Sequence, residues 1–144
     1  MYAPVAGQAG PLDWAGDPAF ALLGAGVAIL PDGRGVLDVH APVSGAVVAA
    51  HPHALVISPY DGGAAVLLHL GVDTVGLPEA FTSLVTKGAR VVQGRSVIRW
   101  DVQLTAARGL ATAVVVTALA AKELLAPALG PVRQDAILWR GVRS

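Results

Sequence analysis

The chain has 144 residues, enough for one domain spanning 1–144 with a buried core. Its ten basic and ten acidic side chains cancel, leaving no basic face for nucleic acid, and the absence of cysteine excludes disulfides, thiolate chemistry and cysteine-based zinc sites. Only 14% of residues are charged and 54% are hydrophobic, so part of the apolar surplus is expected on a contact surface for another protein.

Seventeen glycines and ten prolines punctuate the whole length into short apolar runs, the pattern of an all-β antiparallel sandwich or barrel with little helix. The N-terminus shows no basic start followed by an apolar run, so no signal peptide is read and a cytoplasmic location is expected. The spacing predicts strands at Gly26–Leu30, Gly35–His40, Ala46–Ala50, Ala54–Ser58, Ala64–Leu70, Ser96–Asp101 and Ala113–Ala118. Turn chemistry separates them at Pro31-Asp32-Gly33, Pro42-Val43-Ser44-Gly45, Pro59-Tyr60-Asp61-Gly62-Gly63 and Lys87-Gly88. Pro78 to Thr86 reads as a short turn of helix, and Thr117 to Leu125 has helical propensity beside a strand-like valine run. The most apolar stretch, Leu110 to Ala121, is far short of the roughly 20 residues a membrane span needs. An echo, Ala3-Pro4-Val5-Ala6-Gly7 against Ala41-Pro42-Val43-Ser44-Gly45, reads either as a convenient turn used twice or as a duplicated hairpin about a pseudo-twofold axis.

Three of the four histidines fall in two clusters, His51-Pro52-His53 and the end of the run Leu67-Leu68-His69-Leu70-Gly71-Val72-Asp73-Thr74. On an extended chain His51 and His53 project to the same side, and Leu67 and His69 share one strand face while Val66, Leu68 and Leu70 share the other. If the two segments are neighbouring strands, His53 and His69 meet at the strand ends. Such imidazoles can accept a proton, a metal or a phosphoryl group. A neutral imidazole is nucleophilic near pH 7, and a second ring nearby disfavours double protonation. His51 is read as a supporting group, a third ligand or an exposed side chain. Asp73 is read as a cap for the turn or an influence on a histidine tautomer. His40, beside the Pro42–Gly45 turn, has no visible partner and reads as structural.

These residues carry a family resemblance. Ala41-Pro42-Val43-Ser44-Gly45, His53-Ala54 and His69-Leu70-Gly71-Val72-Asp73-Thr74 stand in the order and near the spacing of the glucose-specific IIA component (EIIA) of the bacterial phosphoenolpyruvate-dependent sugar phosphotransferase system (PTS). Asp17-Pro18-Ala19-Phe20, Gly24-Ala25-Gly26-Val27-Ala28-Ile29, Val91-Val92-Gln93-Gly94 and Trp100-Asp101 agree, and the match runs from Tyr2 to Trp139. The resemblance implies an antiparallel β-sandwich with a duplicated hairpin motif. It implies a phosphotransferase component that takes a phosphoryl group from HPr and passes it to a cysteine on an EIIB domain of the sugar permease, with regulated enzymes or transporters as further partners. His69 matches the phosphorylated residue and His53 the second active-site histidine. Asp17, Phe20 and Asp73 match residues around the partner-docking depression. The chain departs from the family at His51, where the best-known members have a threonine. The loop between Phe20 and Gly24 is shorter, and the chain starts close to its first motif, without the tail that helps some members reach the membrane.

The resemblance implies no required cofactor. The alternative is a zinc-binding protein or metallohydrolase using His51, His53, His69 and Asp73, with zinc bridging His53 and His69 as its minimal form. Peptidases of the lysostaphin type carry similar ligand pairs in the reverse order. A biotin- or lipoate-carrier domain would need a lysine in a hairpin turn, and neither Lys87 nor Lys122 sits in such a turn. A regulatory scaffold that kept the fold would not need the His53–His69 pair.

Overall fold

The computed structural model describes Met1 to Ser144. The chain forms thirteen strands: β1 (Gly7–Pro11), β2 (Gly24–Pro31), β3 (Val36–His40), β4 (Gly45–His51), β5 (Ala54–Pro59), β6 (Val66–Leu70), β7 (Phe81–Ser83), β8 (Arg90–Val91), β9 (Ser96–Asp101), β10 (Val114–Leu119), β11 (Glu123–Leu125), β12 (Gly130–Val132) and β13 (Gly141–Arg143). Two short helices, α1 (Ala19–Leu23) and α2 (Val102–Ala107), accompany them. All pairings are antiparallel. An eight-stranded sheet runs β12-β1-β2-β10-β6-β5-β4-β8, a three-stranded sheet runs β3-β9-β7, and β11 pairs with β13. Side chains of the two larger sheets join in one core cluster, so the architecture is an antiparallel β-sandwich.

The large sheet has the same layout on either side of its central β10–β6 pair, and the five-residue echo shows why. The N–H of Tyr2 donates to the carbonyl of Pro42 and that of His40 to the carbonyl of Pro4, both at 3.0 Å. Each echo then opens a strand through a glycine paired with a proline, Gly7 with Pro31 and Gly45 with Pro59. A Cβ at Gly7 would stand 2.1 Å from the Leu30 carbonyl oxygen, and one at Gly45 would stand 2.2 Å from that of Ser58. Only glycine allows this approach. The duplicated hairpin is therefore present, and the two echoes hold each other across the pseudo-twofold axis.

Burial follows the strand period on β6, where Val66, Leu68 and Leu70 face the core and Leu67 and His69 face outward. β10 instead buries Val114 to Ala118 on both faces: Val114, Val116 and Ala118 join the main core, while Val115 lies under Phe20, Ala15 and Val72. Such continuous burial is what a central strand covered on both sides requires. Trp100 is fully buried and donates its indole N–H to Thr105 Oγ1 at 2.9 Å, while Phe81 stacks on it at 6.0 Å.

One sequence expectation fails and another holds only in part. Thr117 to Leu125 is not helical: Thr117–Leu119 completes ladders with β2, Ala120 turns the chain at φ 62°, and Glu123–Leu125 is strand β11. Ladder bonds on both flanks of β10 outweigh helix propensity there. Pro78 to Thr86 forms only a 3-10 turn at Pro78–Ala80, because Phe81–Ser83 is drawn into β7 against β9. Six strands (β1, β7, β8, β11, β12 and β13) and both helices have no counterpart among the strands and helices expected from the sequence. β1, reading Gly-Gln-Ala-Gly-Pro, has no β-branched residue and exists because β2 and β12 flank it.

Candidate active site

The hairpin β4–β5 and the end of β6 build the site. β4 carries a bulge: Val47 pairs with Ile57, but Ala49 pairs with Val56, so Val48 is an extra residue. The extra residue resets the strand's alternation, so that Ala50 packs on the core while Ala49 and His51 line the outer cleft. Pro52 and His53 form the tight turn between His51 and its pair partner Ala54. The condition of an extended chain at His51-Pro52-His53 is thus not met: His51 ends β4 and His53 lies in the turn, with ring centroids 6.0 Å apart.

β5 and β6 are neighbours, with Ala54 opposite His69 and the N–H of Leu70 donating to the His53 carbonyl at 2.9 Å. This register brings the His53 and His69 rings to 4.9 Å, edge to face at 81°. Phe20, on α1, closes the other side of His69 at 5.0 Å and 68°. Asp17 sets the start of α1 by accepting the N–H of Ala19 at 2.9 Å.

The loop after β6 fixes the His69 tautomer. His69 Nδ1 lies 2.8 Å from the Gly71 carbonyl oxygen. A carbonyl only accepts, so Nδ1 carries the hydrogen and the neutral ring keeps its lone pair on Nε2. Gly71 adopts φ 73°, and a Cβ there would meet Thr74 Cγ2 at 2.6 Å. The Gly71 N–H donates to Ala113 O at 2.9 Å, and the Thr74 hydroxyl donates to the Leu70 carbonyl, which pins the loop from both ends. Asp73 sits at φ 60° and makes no side-chain cap, contrary to one sequence reading of it.

Both rings are held toward the neutral form. Burial pushes the His53 pKa down to about 4, assisted by the nearby His69 and His51 rings. Burial also lowers that of His69, against opposing pulls from the Gly71 carbonyl and the Asp17 and Asp73 carboxylates. All six residues singled out from the sequence, Asp17, Phe20, His51, His53, His69 and Asp73, line one cleft of about 420 Å³. The sequence reading missed Leu23 and Val75, which also line it, and Leu22, 87% exposed on α1. Their apolar character beside Phe20 and Asp73 was the available signal. His40 lies elsewhere, and it has a partner after all, Asp135, at 3.0 Å.

Residues 1–124 match the family described as phosphoenolpyruvate-dependent sugar phosphotransferase system, EIIA 1. The chain belongs to this family. It is 38% identical over 125 residues to the PTS system glucose-specific EIIA component of Halalkalibacterium halodurans, covering 81% of this chain and 69% of that protein. Among solved structures it is similar to glucose permease IIA from Mycoplasma capricolum, with a TM-score of 0.84 and 34% identity over 96% of this chain and 92% of the other. The chain is thus a component of the sugar phosphotransferase system, and the sandwich fold expected from the resemblance is the fold observed.

The metallohydrolase alternative loses its footing in this EIIA. No three of its His, Asp or Glu side chains are gathered closely enough to hold a metal ion, so His51, His53, His69 and Asp73 do not form the ligand set that reading needs. No helix is long and apolar enough to cross a membrane. The cleft offers one imidazole with a directed lone pair, a second neutral ring against it, and an apolar rim.

Proposed function

We propose that this EIIA is a phosphohistidine carrier for sugar uptake, glucose being the sugar named for both relatives. His69 Nε2 attacks the phosphoryl group of phospho-HPr. The P–N bond to the donor imidazole breaks as the P–Nε2 bond forms, the donor nitrogen recovers the bonding pair, and the His69 hydrogen stays on Nδ1, donated to the Gly71 carbonyl. The phosphoryl group then passes to a cysteine of an EIIB domain. The observation that carries this reading is the 2.8 Å Nδ1–Gly71 contact, which leaves Nε2 as the nucleophilic atom.

Phosphoryl transfer asks for positioning and for charge stabilisation more than for covalent chemistry. Phe20 and His53 hold the His69 ring between them. His53, kept neutral, retains an N–H to donate to the phosphoryl oxygens. Asp17 and Asp73 favour positive charge on His69, which develops as Nε2 forms its bond. The exposed Leu22, Leu23 and Val75 supply apolar area for docking HPr and EIIB. In this reading side chains alone carry the transfer.

The test separates the two steps. His69→Gln abolishes loading from phosphoenolpyruvate, enzyme I and HPr. His53→Gln still accepts the group from HPr but passes it to EIIB poorly. Transfer to EIIB at the wild-type rate by His53→Gln would remove the role given to His53.

A further inference from the structure

The cleft contains a third imidazole that the carrier chemistry does not yet use. His51 is exposed, whereas His53 and His69 are buried and partly buried. It makes no hydrogen bond and no ion pair with any side chain, so its ring nitrogens are free for a ligand. Its placement is built rather than incidental. The extra residue Val48 turns Ala49 and His51 into the cleft, and the Pro52-His53 turn sets the His51 ring 6.0 Å from His53. If Val48 were instead taken into the regular alternation of β4, His51 would turn to the opposite face.

The surroundings decide what such a ring can meet. Its hairpin partner β5 bears no titratable side chain, and Arg90 on β8 stands opposite Ala46, at the far end of β4. The other charged or titratable groups on the cleft are His53, His69, Asp17 and Asp73. His51 is thus the nitrogen donor at the solvent side of the cleft, where a phosphoryl group must pass between this chain and its partners.

We infer that His51 is a catalytic residue for transit: its ring N–H donates a hydrogen bond to the phosphoryl oxygens while the group lies between the donor or acceptor and His69. The inference rests on the carrier reading above. It gives His51 a role different from that of His53. A group met only in transit lowers the barrier in both directions equally, so His51 alters rates and leaves the loaded fraction at equilibrium unchanged. His53, which faces the seated group, alters how long it stays.

Rapid-quench kinetics of phosphoryl transfer from HPr to this EIIA, forward and reverse, test this with wild type, His51→Ala and His51→Asn. Hydrogen bonds to charged groups of this kind correspond to rate changes on the order of tenfold. His51→Ala is expected to slow both directions by the same factor, with the equilibrium loaded fraction unmoved. His51→Asn, which keeps an N–H donor but does not titrate, is expected to recover most of the rate. Wild-type rates in His51→Ala, or a shifted loaded fraction with unequal effects on the two directions, would overturn the inference while leaving the carrier reading in place. Failure of wild type to load at all would overturn both.

Discussion

The neutral His53 ring has a measurable cost at acid pH. Its pKa is lowered from 6.5 to about 4 by burial first, then by His69 and His51. The unfolded chain therefore binds a proton below about pH 6.5 that the folded chain refuses until about pH 4, so stability falls as pH falls through that window and levels off below it. At 1.36 kcal/mol per pH unit the gap sets a ceiling of ~3 kcal/mol. The site opens to solvent at the cleft, and screening there reduces the expected contribution to ~1–2 kcal/mol. Urea unfolding of wild type and His53→Gln between pH 7 and pH 4 isolates it, because carboxylates titrating over the same range act equally on both proteins. Wild type is expected to lose ~1–2 kcal/mol more than the variant across the window. Parallel stability curves, or a variant that is the more acid-sensitive, would refute the assignment of a neutral, desolvated His53.

Other perturbations follow from the same geometry. Phe20→Ala removes one of the two rings holding His69, and single-turnover loading from HPr should slow by roughly 10–100-fold. Gly45→Ala places a Cβ 2.2 Å from the Ser58 carbonyl oxygen and should lower unfolding free energy by about 2–3 kcal/mol, with Gly7→Ala behaving alike if the two echoes are equivalent. Leu68→Ala, at a fully buried position on the inner face of β6, should cost about 2–5 kcal/mol in urea unfolding. His40→Ala breaks a partly exposed pair with Asp135 and should cost under about 1 kcal/mol, with loading unchanged.

How far the sequence could be read depended on whether the signal was local. The alternation in Val66–Leu70 and the valine run of β10 expose their burial directly, and the histidines flanked by turn residues announce strand ends. The pairing of Ala54 with His69 could be stated only as a condition, because register is set by contacts remote in sequence. The Val48 bulge left no residue-level mark, and the common side for His51 and His53 could be stated only on the condition of an extended chain, which the turn at Pro52-His53 does not meet. β1, β12 and β13 owe their existence to neighbours rather than to their own residues. Thr117–Leu125 shows the opposite error, a locally helical composition overruled by ladders on both sides. The His40–Asp135 pair joins residues 95 apart and lies beyond any spacing argument.

The central claim is that His69 carries a phosphoryl group. Intact-protein mass after incubation with phosphoenolpyruvate, enzyme I and HPr tests it most directly, with wild type beside His69→Gln. The account predicts an acid-labile gain of one phosphoryl group in wild type and none in the variant. No gain in wild type with an active HPr control, or an equal gain in His69→Gln, would contradict it.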